Sequence, residues 1–472
     1  MYSFAALLDP FLNLWDERFH ALVAKNLISN PFKPMLYTEK VIDIAYDNWD
    51  RYYIWLHKQP LFLWQMALSL KLFGLSEYAL RLPNIIMATL LIPITFRMSK
   101  LLLNNRVGYL AAVLLISTIY VLELVAGRQV LEHNDMAFVF YVSGSIWAFI
   151  EYRHSNNRKW IYIIALFSGC AILVKWLVGL LIYFGWMVLR LQEKKFALNQ
   201  NRDLFISVLI ALAISMPWQI YAFLRFPEEA LSAYRFNALH FTVPLEGHSG
   251  DVWWHLNKFD LLYGTLAPFL IIPGLIVLNR MMKDKKMYFV LLSMLIAVYL
   301  FFSMAATKMP SFTLIVITIV LLAFACLLQL ALEKTEKLYK SQQWIKALIF
   351  LGLMMSIFVI RIDVEYLQGK YTLWKKSNQY SRNLIHNKTI FTSLDLHENA
   401  VLFNVKGRHY IEAMYYTDRI AYNIIPNQKI LNQLKSKKLK AVIFKNPNNQ
   451  IPDFIINDED VIIIDKVIRG YR

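Results

Sequence analysis

With 57% hydrophobic, 15% aromatic and only 18% charged residues over 472 positions, and a mean hydropathy of +0.40, the chain is too apolar for an ordinary soluble protein. Its net charge of +17 sits mostly in short loops between apolar runs. That distribution is a topology signal, and it excludes the continuous basic face that nucleic-acid binding needs.

Met1 to Leu14 is too short and too broken to cross a bilayer of ~30 Å, which takes about 20 residues, and it lacks the basic start of a signal peptide. It reads as the tail end of a curtailed first transmembrane helix. Residues 1–82 then make a first outer region with juxtamembrane helices, among them the run from Leu61 to Gly74, too short to cross. Membrane segments are expected near 83–103, 107–126, 136–152, 159–175, 176–191, 203–224, 259–280, 287–303, 311–332 and 344–363, within a transmembrane unit 83–363. Cys170 and Cys326 fall inside apolar segments and say little about redox compartment. Residues 364–472 are polar, with β-rich runs at Ala400–Val405, Ala421–Ile425, Leu439–Lys445 and Val461–Val467 and a helical stretch at Ile430–Lys438. Such alternation predicts a small α/β domain. The expected fold is an α-helical polytopic membrane protein with about 10–11 transmembrane helices and a small C-terminal extracytoplasmic α/β domain.

The basic residues test this layout. Lys100 and Arg106; Arg153, Arg158 and Lys159; Arg190, Lys194, Lys195 and Arg202; Arg280, Lys283, Lys285 and Lys286; and Lys334, Lys337 and Lys340 fall on alternate loops. The positive-inside rule makes those loops cytoplasmic. Every residue considered below for chemistry then lies outside.

Asp16 and Glu17 follow Trp15 at the head of the first outer loop. They suit the first turn of a helix, whose dipole favours acids. They equally suit a general base, since an apolar wall raises a carboxyl's pKa. Lys58 lies among Trp49, Tyr52, Tyr53, Trp55, Phe62 and Trp64, either as a snorkelling interfacial lysine or as a cation for a phosphate. Arg128, Glu132, His133 and Asp135 share a short outer turn. No cofactor is certain from this pattern; a divalent metal on Glu132, His133 and Asp135, with Asp16 nearby, stays open because carboxylates suit hard cations. Lys175 and Lys308 are either structural lysines at outer helix ends or further phosphate ligands. The loop from Phe226 to Phe259 carries Glu246 and His248 and is long enough to cover a site as a lid, with those two residues against an acceptor.

In order along the chain, Trp15-Asp16-Glu17, Lys58-Gln59-Pro60-Leu61-Phe62, Leu72-Phe73-Gly74 with Glu77 and Arg81-Leu82-Pro83, Asp135-Met136, Lys175, Pro217-Trp218 and Ser303 to Pro310 resemble the GT-C class of membrane glycosyltransferases. The nearest members are the protein O-mannosyltransferase and lipid A aminoarabinose transferase families, and the resemblance covers most of residues 14–315. It implies an inverting transfer of a sugar from a polyprenyl-phosphate donor to a lipid, glycan or protein acceptor, at the outer face of a bacterial inner membrane. Carried over, Asp16 is the acid that acts as base or orients the acceptor, Lys58 contacts the donor phosphate, and Asp135 is the second acid near the site. Where these families often have Glu-Lys-Pro-Pro, this chain has His57-Lys58-Gln59-Pro60. The physics agrees: nucleotide sugars stay in the cytoplasm, so an outer enzyme needs a lipid-borne donor, cations for its phosphate and an apolar groove for its tail. One direct displacement inverts the anomeric carbon and needs only one base. A transporter or flippase, or a non-catalytic envelope assembly protein, are the alternatives. The first would favour broken helices at mid-membrane and pseudo-repeats, neither of which the sequence displays.

Overall fold

A computed structural model describes residues 1–472 except 43–48, 50–51, 130, 196, 339–342, 372–378, 447–448 and 471–472. Lys340, expected in a cytoplasmic loop, lies outside the described residues. The chain opens with a short helix α1 (Tyr2–Leu7), then α2 (Asp16–Ser29) and α3 (Pro60–Phe73). The long helices follow: α4 (Glu77–Leu102), α5 (Asn105–Ile116), α6 (Ile119–Val125), α7 (Asp135–Ser155), α8 (Lys159–Lys175), α9 (Leu181–Gln192) and α10 (Arg202–Arg225). Next come α11 (Pro227–Thr242), α12 (Trp254–Asn257), α13 (Phe259–Tyr263), α14 (Ala267–Met281), α15 (Lys285–Met304), α16 (Ile317–Leu338), α17 (Gln343–Arg361) and α18 (Val364–Tyr371). Local chemistry sets several starts. Ser76, Asn104 and Asp284 each accept a backbone N–H with the side chain, capping α4, α5 and α15.

By length and hydropathy, six described helical stretches can cross a membrane, or seven if α5 and α6 count as one span bent by 56°. The bend falls at Ser117-Thr118, whose hydroxyls accept from the Arg361 guanidinium at 3.1 and 3.3 Å. The expected segment 259–280 is broken at Gly264, where φ is +105°, leaving α14 as a helix of 15 residues. The helical run Lys159–Gln192 is a hairpin. Trp176 has φ +71°, and a methyl group on Gly179 would sit 2.8 Å from the Ala171 Cβ, whereas residues eight apart in one helix lie ~12 Å apart. Glu193, beyond α9, accordingly returns to Arg153, just before α8, at 2.8 Å.

Salt bridges gather the basic loops at one end of the bundle. Arg97 pairs with Glu151 at 2.6 Å, Arg106 with Glu336 at 2.8 Å, Arg158 with Asp203 at 2.5 Å, and Arg153 reaches both Glu193 and Asp284. Asp135, Lys175 and Ser311 lie at the opposite ends of α7, α8 and the α16 stretch.

The C-terminal part starts at α19 (Gln379–Thr392), followed by β1 (Ala400–Phe403), α20 (Tyr410–Thr417), α21 (Gln428–Ser436), β2 (Lys440–Phe444), α22 (Asp453–Ile456) and β3 (Ile462–Ile464). The three strands are parallel in the order β1-β2-β3, with the helices as crossovers. The expected run Ala421–Ile425 contributes one parallel bridge, Leu402 to Ala421, because Pro426 follows and the segment stays at the edge. This domain sits on α2 and the segment after it: Lys25 of α2 donates to the carbonyls of Met414 and Tyr415, and Tyr37, beyond α2, stacks on Tyr422 at 5.4 Å.

Candidate active site

A cavity of about 390 Å³ opens at the end opposite the basic loops. Its polar wall carries Asp16, Lys58, Gln59, Asn134, Lys175, Ser311, Asn237, His240 and Glu246. Its apolar side is built from Leu131, Phe138, Val174, Val178, Phe241, Phe301, Phe302 and Phe312. Such a mix, one greasy wall facing a few convergent charges, suits a ligand with an apolar tail and an anionic head.

Two ion pairs dominate. Lys58 Nζ lies 2.9 Å from Asp16 Oδ2, with Asp16 in the first turn of α2 and Lys58 just before Pro60 opens α3. Lys175, at the C-terminal end of α8, pairs with Asp135 at the first turn of α7 and lies 4.5 Å over the Phe312 ring. Ser311 Oγ donates to the other Asp135 oxygen, and Ser311 N donates to Glu132 Oε1 at 3.0 Å. Burial lifts the Asp16 carboxyl above its ordinary value; Lys58 opposes that rise, while Asp135 and Glu246 add to it. Burial works against the Lys58 cation, but Asp16, with Asp135 and Glu246 behind it, outweighs burial and raises its pKa. The site is therefore a cluster of mutually held charges in which the two carboxylates are buried and the two lysines partly exposed.

Aromatics frame the polar wall. His57 lies flat on Trp49, 4.4 Å between centroids, and burial keeps it neutral. Glu246 sits in a tight turn with φ +53° and accepts the Trp49 indole N–H at 2.8 Å. The expected lid is thus largely helical: α11 carries Tyr234, Asn237 and His240 into the cavity wall. His248 does not line the cavity; its carbonyl accepts the Lys308 backbone N–H at 2.9 Å.

Several residues expected to act on substrate are held elsewhere. Glu17 is fully buried and receives Arg81 Nε at 2.6 Å, Arg81 Nη2 at 3.0 Å and Asn13 N at 2.6 Å. The other Arg81 donors go to the carbonyls of Ala6, Asp9 and Phe11, so the guanidinium is saturated. Gly127 makes room for this: a Cβ there would meet Glu17 Oε1 at 2.4 Å. Arg128 is bidentate on buried Asp9 at 2.9 and 3.2 Å and also donates to the Leu367 carbonyl. Lys308 Nζ caps α15 through the carbonyls of Phe302 and Ser303, at 3.2 and 2.6 Å. Neither cation lines the cavity.

The metal grouping is also pulled apart. Glu132 is taken by Tyr120 and Ser311, His133 Nδ1 faces His20 Nδ1 at 3.1 Å, and Asp135 is bound by Lys175. Among the described residues no three His, Cys, Asp or Glu side chains form a metal-holding group. Burial, then Asp135, lifts the Glu132 carboxyl to about 7, while the Tyr120 hydroxyl that donates to it opposes the rise. Ser311, Asn237 and Tyr234 escaped the sequence reading. A serine after Pro310 reads only as a helix start, and α11 carries no motif.

A family described as dolichyl-phosphate-mannose-protein mannosyltransferase matches residues 57–221. Undecaprenyl phosphate-alpha-4-amino-4-deoxy-L-arabinose arabinosyl transferase 1 of Pseudomonas fluorescens is 25% identical over 284 residues, 57% of this chain and 47% of that protein. An uncharacterized protein of Aquifex aeolicus is 22% identical over 226 residues, 46% of this chain and 41% of its own length. The matched stretches thus span less than half of these relatives. The crystal structure of ArnT from Cupriavidus metallidurans bound to undecaprenyl phosphate superposes with a TM-score of 0.66 at 16% identity, over 92% of this chain and 86% of that one. Archaeal oligosaccharyltransferase AglB from Archaeoglobus fulgidus, in complex with an inhibitory peptide and a dolichol-phosphate, gives 0.50 at 12% identity, over 89% and 63%. The fold is that of the GT-C class, of the ArnT-like type, and the chain is a multi-pass membrane protein.

Proposed function

We propose that this chain, with its ArnT-like GT-C fold, is an inverting glycosyltransferase that takes a sugar from a polyprenyl-phosphate donor to a lipid, glycan or protein acceptor at the extracytoplasmic face. The observation that carries this reading is the meeting of the Asp16–Lys58 pair and Lys175, itself held by Asp135, at one cavity with an apolar wall. Relatives named for undecaprenyl phosphate chemistry, and solved neighbours holding undecaprenyl phosphate and dolichol-phosphate, support the same donor class.

In this mechanism Lys58 and Lys175 hold the donor phosphate, and the prenyl tail runs along the phenylalanine wall. Asp16 takes the acceptor hydroxyl proton as the oxygen attacks the anomeric carbon; the carbon–oxygen bond to phosphate breaks, and the polyprenyl phosphate leaves with the electron pair. A preformed pair of cations stabilises the charge that grows on that phosphate. One displacement gives inversion. Asp135 keeps Lys175 in place. The basic loops joined through Arg106, Arg153 and Arg158 lie at the other end, and by the positive-inside rule this supports an outward-facing cavity.

Binding tests the donor assignment. Undecaprenyl phosphate should raise the melting temperature of the purified protein, and Lys58→Ala should abolish most of that rise. Equal protection of wild type and Lys58→Ala would remove Lys58 from the phosphate site.

A further inference from the structure

The residue before Asp16 is strained, and the strain is held from the C-terminal domain. Trp15 has φ 62° and ψ −121°, a conformation that glycine adopts freely and tryptophan rarely does. Its ring lies 4.2 Å from the Arg408 guanidinium carbon. Upstream, the Tyr380 hydroxyl accepts Leu14 N and donates to Asn13 Oδ1, both at 3.1 Å. Downstream, Arg18 Nη2 pairs with Glu412 at 3.0 Å and Arg18 Nη1 donates to the Arg408 carbonyl at 3.0 Å. His409 holds the second Glu412 oxygen at 2.7 Å. Arg18 and Glu412 are both almost fully buried. Asp16 therefore lies between two anchor sets supplied by the C-terminal domain, beside the Glu17–Arg81 anchor to α4.

We propose that the C-terminal domain is a positioning element for the reaction: Arg408 and Glu412 pin the Trp15–Arg18 turn so that the Asp16 carboxylate faces Lys58 and the cavity. This rests on the role proposed for Asp16. A carboxylate on a strained turn would otherwise relax, since the turn's own sequence favours another backbone conformation. The arrangement also makes turnover depend on a domain that does not itself line the cavity.

The test uses the full-length chain in a transfer assay from a polyprenyl-phosphate sugar. Arg408→Ala, and Trp15→Ala, which keeps the unfavourable positive φ and removes the ring, should each lower kcat tenfold or more. The donor KM should stay within threefold. The acid limb of the pH–rate profile should move to lower pH, because a loosened Asp16 gains water. Arg408→Lys should recover part of the loss. Lys25→Met removes a contact between the same helix and the same domain, two and a half turns further on, and should leave kcat unchanged. Unchanged kcat in Arg408→Ala or Trp15→Ala overturns the proposal, as does an equal loss in Lys25→Met. Asp16→Asn in the same assay separates the failures: if it keeps turnover, the base assignment is wrong; if it alone loses turnover, only the positioning role is wrong.

Discussion

Lys58 and Asp16 are 2.9 Å apart, Asp16 in the first turn of α2 and Lys58 just before α3, so the proposed base and phosphate ligand start out neutralising each other. In the proposed mechanism an incoming phosphate would compete for Lys58 and free the Asp16 carboxylate. Asp16→Asn keeps the shape and removes the base, so kcat for a hydroxyl acceptor should fall about 100-fold or more, with the melting temperature unchanged. Wild-type turnover in Asp16→Asn would reduce the residue to a helix N-terminal acid.

Donor recognition should divide the cations into two groups. Lys58→Ala and Lys175→Ala should each weaken donor use by about 1.5–3 kcal/mol, the usual range for a hydrogen bond to a charged group. Lys58→Arg should restore part of it, since the charge is kept and the geometry changes. Arg128→Met and Lys308→Met should instead change stability and leave donor affinity alone, because Arg128 belongs to Asp9 and Lys308 to the end of α15. Donor KM and melting temperature, measured side by side, check the division.

Glu17 should matter for folding rather than chemistry. Glu17→Ala leaves the Arg81 guanidinium buried with part of its bonding lost, a change that costs about 3–5 kcal/mol. Unfolding of the purified protein should show this directly. A normally stable Glu17→Ala protein with no turnover would return Glu17 to the catalytic set.

Acid should weaken the site's foundation through His20 and His133. Burial first, then Arg81 and Lys58, depress His133 to about 3, and burial depresses His20 well below its ordinary value. The unfolded chain takes up these protons near pH ~6.5 and the folded one does not. Stability is therefore full above ~6.5 and declines as pH falls toward the folded value. The melting temperature should drop between pH 7 and 5, and His133→Gln should flatten that slope. A slope unchanged by His133→Gln would contradict the buried neutral pair.

Much of this was legible in the sequence where one signal dominated. Apolar runs placed the helices, and loop charge placed Arg106, Arg153 and Arg158 at the end that their salt bridges then join. Asp16, Lys58, Asp135 and Lys175 stand out in the sequence because charges beside hydrocarbon are costly without a purpose, and the structure pairs them as Asp16–Lys58 and Asp135–Lys175. The sequence could not separate Asp16 from Glu17, or Lys175 from Lys308. Neighbours in sequence point ~100° apart on a helix, and only packing decides that Glu17 meets Arg81 while Asp16 meets the cavity. Long-range pairs such as Arg18–Glu412, and the wall supplied by α11, leave no local trace.

The account's central claim is sugar transfer from a lipid phosphate, and one assay addresses it most directly. Purified protein should be given a synthetic polyprenyl-phosphate sugar or the corresponding nucleotide sugar, with envelope lipids as acceptor, and the product's anomeric configuration read by NMR. Wild type should transfer from the lipid donor only, with inversion, and Asp16→Asn should not. Transfer from the nucleotide sugar, retention at the anomeric carbon, or full transfer by Asp16→Asn would contradict the account.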